Sequence, residues 1–115
     1  MENRVFKRVP CEMAASFKRV DGRGSWIPEE TTVRNISEGG IRFRSSQFIP
    51  IHDYLSMRLN LSKTRFIEAV VKPVWIRELP SVGQYELGAS FMPLTREGKT
   101  QLRDYLALEM AAQGY

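Results

Sequence analysis

Val9-Pro10-Cys11-Glu12-Met13-Ala14-Ala15-Ser16-Phe17 sets Val9, Cys11, Met13, Ala15 and Phe17 on alternate positions, with Pro10, Glu12, Ala14 and Ser16 between them. Successive side chains of an extended chain point to opposite faces, so this period of two makes one apolar face, as in a half-buried strand. Outward from this stretch the same period returns. Thr31 to Ile36 carries the β-branched residues Thr31, Thr32 and Val33, and Ile41-Arg42-Phe43-Arg44 puts apolar and basic side chains on opposite faces. Leu55, Met57, Leu59 and Leu61 form a fourth alternating set, and Ala69, Val71, Pro73 and Trp75 a fifth, in which Pro73 marks an edge or a bulge. Tyr85, Leu87, Ala89 and Phe91 form a sixth. Asp21-Gly22-Arg23-Gly24 supplies a turn after the first strand, and Ser37-Glu38-Gly39-Gly40 separates the second from the third. Six short antiparallel strands with a polar outer face predict a small closed barrel or a sandwich.

After Thr95, a residue type suited to an N-cap, the period changes. Leu102, Tyr105, Leu106 and Met110 recur at three and four, which predicts an amphipathic helix from about Arg96 to Gln113 with Gly114 as its stop. Its apolar stripe is expected to cover the chain's own barrel. The fold class is therefore all-β, a β-barrel with one C-terminal helix. With 115 residues, 43% hydrophobic and 26% charged, the chain has the size and composition of one domain spanning 1–115. Residues 1–9 form an arm, 9–93 the barrel and 95–113 the helix.

Counting excludes other classes. One cysteine, Cys11, and one histidine, His52, rule out an intrachain disulfide, a cysteine-based zinc site and multi-histidine metal sites. No metal or cofactor is expected. No stretch approaches the ~20 apolar residues that span a bilayer, and the first twenty residues hold no continuous apolar run of a signal peptide. The expectation is a soluble cytoplasmic protein without a membrane partner. Seventeen Lys and Arg against thirteen Asp and Glu leave a net charge of +4. Twelve of the seventeen lie in the first 65 residues, among them Arg4, Lys7, Arg8, Arg34, Arg42 and Arg44. That balance favours an anionic partner, although a solvated strand face accounts for any one of these charges.

An enzyme is not expected. No nucleophile elbow, P-loop or dinucleotide fingerprint occurs, and Gly22-Arg23-Gly24 is only a turn. His52-Asp53 has no serine in a nucleophile's setting to complete a triad. Cys11 falls on the apolar face of the first strand, where a structural thiol is the expectation. Glu29-Glu30 reads as a solvated pair in a polar loop.

Two segments stand out. Arg4-Val5-Phe6-Lys7-Arg8 places two arginines four apart in the arm, with alpha carbons at most ~13 Å apart in an extended chain. A guanidinium pairs bidentately with guanine O6 and N7 or with two anionic oxygens, and it stacks on a purine face. Asn35-Ile36-Ser37-Glu38-Gly39-Gly40 would turn Asn35 and Ser37 to one face with Ile36 in the core. Asn35 and Ser37 suit a base edge, a phosphate or a turn cap, and Gly40 allows close approach to the backbone.

Together these segments, an R-x-x-x-R arm followed by N-x-S-x-x-G at the end of the second strand, resemble the signature of the PilZ domain family. The match is Arg4 and Arg8 with Asn35, Ser37 and Gly40. Tyr85-Glu86-Leu87-Gly88-Ala89-Ser90-Phe91 also looks like the family's closing strand, so the resemblance covers essentially the whole chain. It implies a six-stranded antiparallel barrel with a C-terminal helix, and a bacterial receptor for the second messenger cyclic di-GMP. By resemblance, Arg4 and Arg8 would clasp the ligand, Asn35 and Ser37 would hydrogen-bond a guanine or phosphate, and Gly39 and Gly40 would keep the loop close. Ordering of the arm would then carry the signal to a protein partner through Trp26, Trp75 or the helix face. Asn35 replaces the commoner aspartate, so an amide offers both donor and acceptor where a carboxylate only accepts. Arg42, Arg44 and Arg77 are candidates for added phosphate contacts, which surface charge explains equally well.

Two other readings rank behind this one. A PilZ-like adaptor would bind protein with little or no nucleotide affinity. A barrel for single-stranded nucleic acid would use Phe43 between Arg42 and Arg44 as a platform, but the alternation turns Phe43 inward.

Overall fold

The structure, a computed structural model, describes residues 8–20 and 28–114. Residues 1–7 with Arg4, the Asp21–Gly24 turn and Trp26 lie outside the described residues. Six strands precede one helix: β1 Val9–Arg19, β2 Glu29–Ile36, β3 Gly40–Ser45, β4 Leu55–Asn60, β5 Phe66–Leu79, β6 Gln84–Phe91 and α1 Arg96–Ala112. They form a closed antiparallel barrel in the order β1-β2-β3-β6-β5-β4. The choice between barrel and sandwich is decided by β1, which pairs with β2 on one side and with β4 on the other, through Ala15↔Leu59, Phe17↔Met57 and Arg19↔Leu55.

Alternation delivers the core. Val9, Met13, Ala15 and Phe17 of β1 meet Val33 and Ile36 of β2, Ile41 and Phe43 of β3, Leu55, Met57 and Leu59 of β4, Val71 of β5 and Leu87 of β6 inside the ring. A barrel this narrow is filled by its own side chains. Phe17 and Phe43 pack with ring centroids 5.2 Å apart and planes tilted by 59°. Phe43 is fully buried, which removes it as a platform for a nucleic-acid base.

Two irregularities shape the outer face. Between Pro10↔Asn35 and Met13↔Val33, the residues Cys11 and Glu12 oppose Arg34 alone, and between Val33↔Phe43 and Asn35↔Arg42 Arg34 has no partner on β3. Such a bulge turns two successive side chains outward. Arg34 is exposed and Asn35 half-buried, while Val33 and Ile36 on either side are in the core. In β5 the register shifts between Pro73↔Ala89 and Trp75↔Gly88, leaving Val74 unopposed. Pro73 therefore marks a bulge and not an edge, because the closed ring has none. β5 also runs well beyond the alternation of Ala69 to Trp75, since its first half pairs with β4 and its second half with β6.

Thr95 caps α1, its side-chain oxygen accepting from the Gly98 N–H at 3.0 Å. Leu102 and Leu106 are buried, with Leu94, Tyr105 and Met110 packed beside them, and the helix lies against β1 and β5. The apolar stripe thus covers the chain's own barrel. Gly114, at φ +84°, follows the last turn as its stop.

Candidate functional site

β2 ends at Ile36, so Ser37 is placed by the turn into β3 and not by strand alternation. Its N–H donates to the Gly40 carbonyl at 2.9 Å. Its hydroxyl oxygen accepts from the N–H groups of Gly39 at 3.1 Å and Gly40 at 3.2 Å. Ser37 is buried, and the loop uses its acceptor side; the hydroxyl proton remains for donation. The Gly39 carbonyl accepts from Phe91 N–H at 2.9 Å, tying the loop to the end of β6. At Gly40 an added Cβ would lie 2.2 Å from the Ala89 carbonyl oxygen, so only glycine fits. Ser37 and Gly40 first build the loop, and through it they set where Asn35 stands.

Asn35 is directly opposite Pro10 on β1 and Arg42 on β3. Its Oδ1 is buried and has no hydrogen-bond partner among the described residues. Leaving a buried acceptor unmet costs about 1–3 kcal/mol, so the oxygen is stabilised by any donor that reaches it. Arg8 is exposed and two residues before Pro10, hence on the same face by alternation; Val9↔Ile36 pairing brings it level with the loop. The structure therefore gathers Arg8, Asn35, Ser37, Gly39 and Gly40 at one end of the β1–β2–β3 surface.

The registers extend that surface. One row crosses five strands as Pro10, Asn35, Arg42, Gly88 and Trp75. The Trp75 indole lies over Gly88, where a Cβ would come within 2.2 Å of its Nε1. The next row is Arg44, Glu86 and Arg77. Glu86 is buried and accepts from Arg42 Nε at 3.0 Å on Oε2 and from Arg77 Nη2 on Oε1. Burial alone would push its carboxyl up, but the hydrogen bonds and charges of Arg42 and Arg77 together outweigh it and hold the group below its ordinary value. Glu86 went unread in the sequence, where the only sign of it was an acidic residue at an outward position beside two basic strands.

The remaining candidates take structural places. The Cys11 thiol donates to the Val33 carbonyl at 3.3 Å, and burial pushes its pKa up to about 11, so it is a thiol and not a nucleophilic thiolate at neutral pH. Asp53 pairs with Arg19 and His52 is exposed in a turn. Glu29 departs from the solvated reading: it accepts from Ser46 N–H at 2.6 Å and from Ser45 Oγ at 3.2 Å, tying β2 to the end of β3, while Glu30 is exposed. Among the described residues no group of three or more His, Cys, Asp or Glu is arranged to hold a metal ion, and no helix is long and apolar enough to cross a membrane. Two contacts join α1 to the site: Arg103 Nε donates to Glu38 Oε1 at 3.1 Å, and Gln113 Nε2 donates to the Pro10 carbonyl at 2.8 Å.

A family model of the PilZ domain matches residues 2–108. No curated protein matches the sequence. Among solved structures, the chain superposes on MotI/DgrA, the inhibitor of motility of Bacillus subtilis, with a TM-score of 0.80 at 15% identity, covering 100% of this chain and 55% of that one. The PilZ domain of YcgR from Escherichia coli, with c-di-GMP, gives 0.71 at 14% identity over 97% of this chain and 95% of that one. The complex of K. pneumonia MrkH with c-di-GMP gives 0.75 at 14% identity over 98% and 55%. The chain thus spans about half the length of MotI/DgrA and of MrkH, and these likenesses are likenesses of fold.

Proposed function

The chain belongs to the PilZ domain family, and from that premise we propose that it is a receptor for cyclic di-GMP, held between the arm and the outer face of β1, β2 and β3. The observation that carries the reading is the buried Oδ1 of Asn35, which has no hydrogen-bond partner among the described residues, on the same face as Arg8. A guanine offers a partner to each. Its amino and imino N–H groups donate to an amide oxygen, and its O6 and N7 accept from a guanidinium fork. Arg4 would add the second clasp from the arm, and Ser37 its hydroxyl proton. The c-di-GMP bound to the YcgR domain and to MrkH supports the ligand's identity.

Relay to a protein partner follows from where the site is anchored. Ligand that holds the arm against the barrel acts at Pro10, whose carbonyl is bonded to Gln113, and at the loop, whose Glu38 is paired with Arg103. The arm and α1 are therefore the proposed output elements.

Calorimetric titration with cyclic di-GMP, using GTP and a short oligonucleotide as controls, tests the reading. The expected result is saturable binding of the cyclic dinucleotide alone, weakened about tenfold or more in Asn35→Ala, the loss of one hydrogen bond to a buried acceptor. Arg8→Ala is expected to lose more, because a charged group goes with it. No heat at near-millimolar ligand, from a sample with an intact barrel spectrum, would reject the receptor and leave the protein-binding adaptor.

A further inference from the structure

β5 continues past the strand that pairs with its first half. β4 begins at Leu55, opposite Val71, whereas β6 accompanies β5 as far as Leu79, opposite Gln84. The stretch from Val74 to Leu79 therefore rises beyond the closed ring, with β6 on one side and, among the described residues, no strand on the other. Met92 N–H donates to the Val70 carbonyl at 2.8 Å, so Val70 and Lys72 turn their backbone groups toward β6. The unopposed Val74 shifts the phase by one residue. Trp75, Arg77 and Leu79 then face β6, and the N–H and C=O groups of Ile76 and Glu78 face the open side. Among the described residues, no turn or loop backbone bonds to Ile76 or Glu78. Such a row of groups is a template for another strand, which proteins guard against with a proline or a bulge. Here the proline and the bulge come before the open stretch, and Val74 at its base is 58% exposed.

We propose that this open stretch pairs with the same stretch of a second copy of the chain, the two β5 strands running antiparallel about a two-fold axis at Ile76. A strand that pairs with itself must be self-complementary, and this one is. With Ile76 opposite its own copy, the two residues exchange both backbone hydrogen bonds. Arg77 of each chain then falls opposite Trp75 of the other, and Glu78 opposite Val74. Arg77 and Trp75 lie on the same outer face, the first held by Glu86 and the second over Gly88, which brings a guanidinium to an exposed indole twice across the axis. The register centred on Arg77 instead would set two arginines face to face, which is destabilising. One basic and one acidic residue, Arg77 and Glu78, leave the stretch without net charge, so two copies approach without repulsion there. The β3–β6–β5 surface continues into the second copy, and one sheet carries both candidate sites on the same face. The pairing itself does not depend on the nucleotide.

The test compares the wild type, Glu78→Pro and Glu78→Gln. Glu78 is exposed and has no ion pair among the described residues, so proline there removes an N–H from the open side and leaves the β6 ladder in place. Mass is measured by sedimentation from about 1 μM to about 1 mM protein, with melting temperature as the check on folding. The wild type and Glu78→Gln are expected to double in mass over that range, while Glu78→Pro needs about tenfold more protein or stays single. Amide exchange at Ile76 is expected to slow about tenfold or more in concentrated wild type relative to dilute. Should Glu78→Pro melt early, the Ile76 amide of the wild type decides alone. A wild type that remains single throughout overturns the pairing and leaves the open side to an extended segment of another protein. A dimer with no change in exchange at Ile76 also overturns it, because the copies then meet elsewhere.

Discussion

Gly40 and Gly88 both lack a side chain because something already occupies the space, but what occupies it differs. At Gly40 a Cβ would press on the Ala89 carbonyl, a backbone group held in the β3–β6 ladder. At Gly88 it would press on the Trp75 indole, which is 38% exposed and can swing aside. Gly40→Ala is therefore expected to lose about 1–3 kcal/mol of stability in urea denaturation, as overpacked sites do. Gly88→Ala is expected to cost less and to shift tryptophan emission to the red. Equal stability losses would show that the Trp75 ring is held as rigidly as the backbone. Gly40 was legible from the sequence as part of a loop motif. The reason glycine is needed there was not, because Ala89 lies 49 residues away and meets it only through strand pairing.

Between elements, Glu86 joins β6 to β3 through Arg42 and to β5 through Arg77. Its carboxyl sits below the ordinary value of 4.5, so the unfolded chain binds the proton more readily. The stability it contributes is complete above about pH 4.5 and is lost as the pH falls through the lower folded-state value. The stability difference between wild type and Glu86→Gln should therefore be largest at neutral pH and shrink below pH 4.5. Denaturant midpoints across that range measure it, and a constant difference would mean that the carboxylate contributes nothing through its charge. Strand alternation placed Arg42 and Arg44 outward from sequence, but it put Arg77 in phase with the apolar set Ala69 to Trp75; only the bulge at Val74 and the register turned Arg77 out and set it beside the same acid as Arg42.

At the scale of the molecule, Leu102 and Leu106 of α1 lie in the same buried cluster as Met13, Val33 and Leu59 of the barrel. The helix and barrel should then unfold as one cooperative unit. Helical far-UV signal and tryptophan fluorescence are expected to share one urea midpoint; an earlier loss of helical signal would make α1 a separately melting cap. Such independence would also remove the route from Pro10 and Glu38 to the helix.

Local chemistry was enough for the parts of this protein that depend on one residue's near neighbours. The alternation from Val9 to Phe17 marked β1, the change of period after Thr95 marked α1, and Asn35, Ser37 and Gly40 marked the loop, because strand faces, caps and tight turns are set within a few residues. Barrel closure needed β1 to meet β4, 36 to 44 residues on, and hydrophobic period alone fits a sandwich as well. The bulge that turns Arg34 and Asn35 outward together, the use of Ser37's oxygen inside the loop, and the Glu86 cluster were decided by tertiary structure. Each arises from which strands lie side by side and in what register, and that is a free-energy minimum of the whole ring that no single segment specifies.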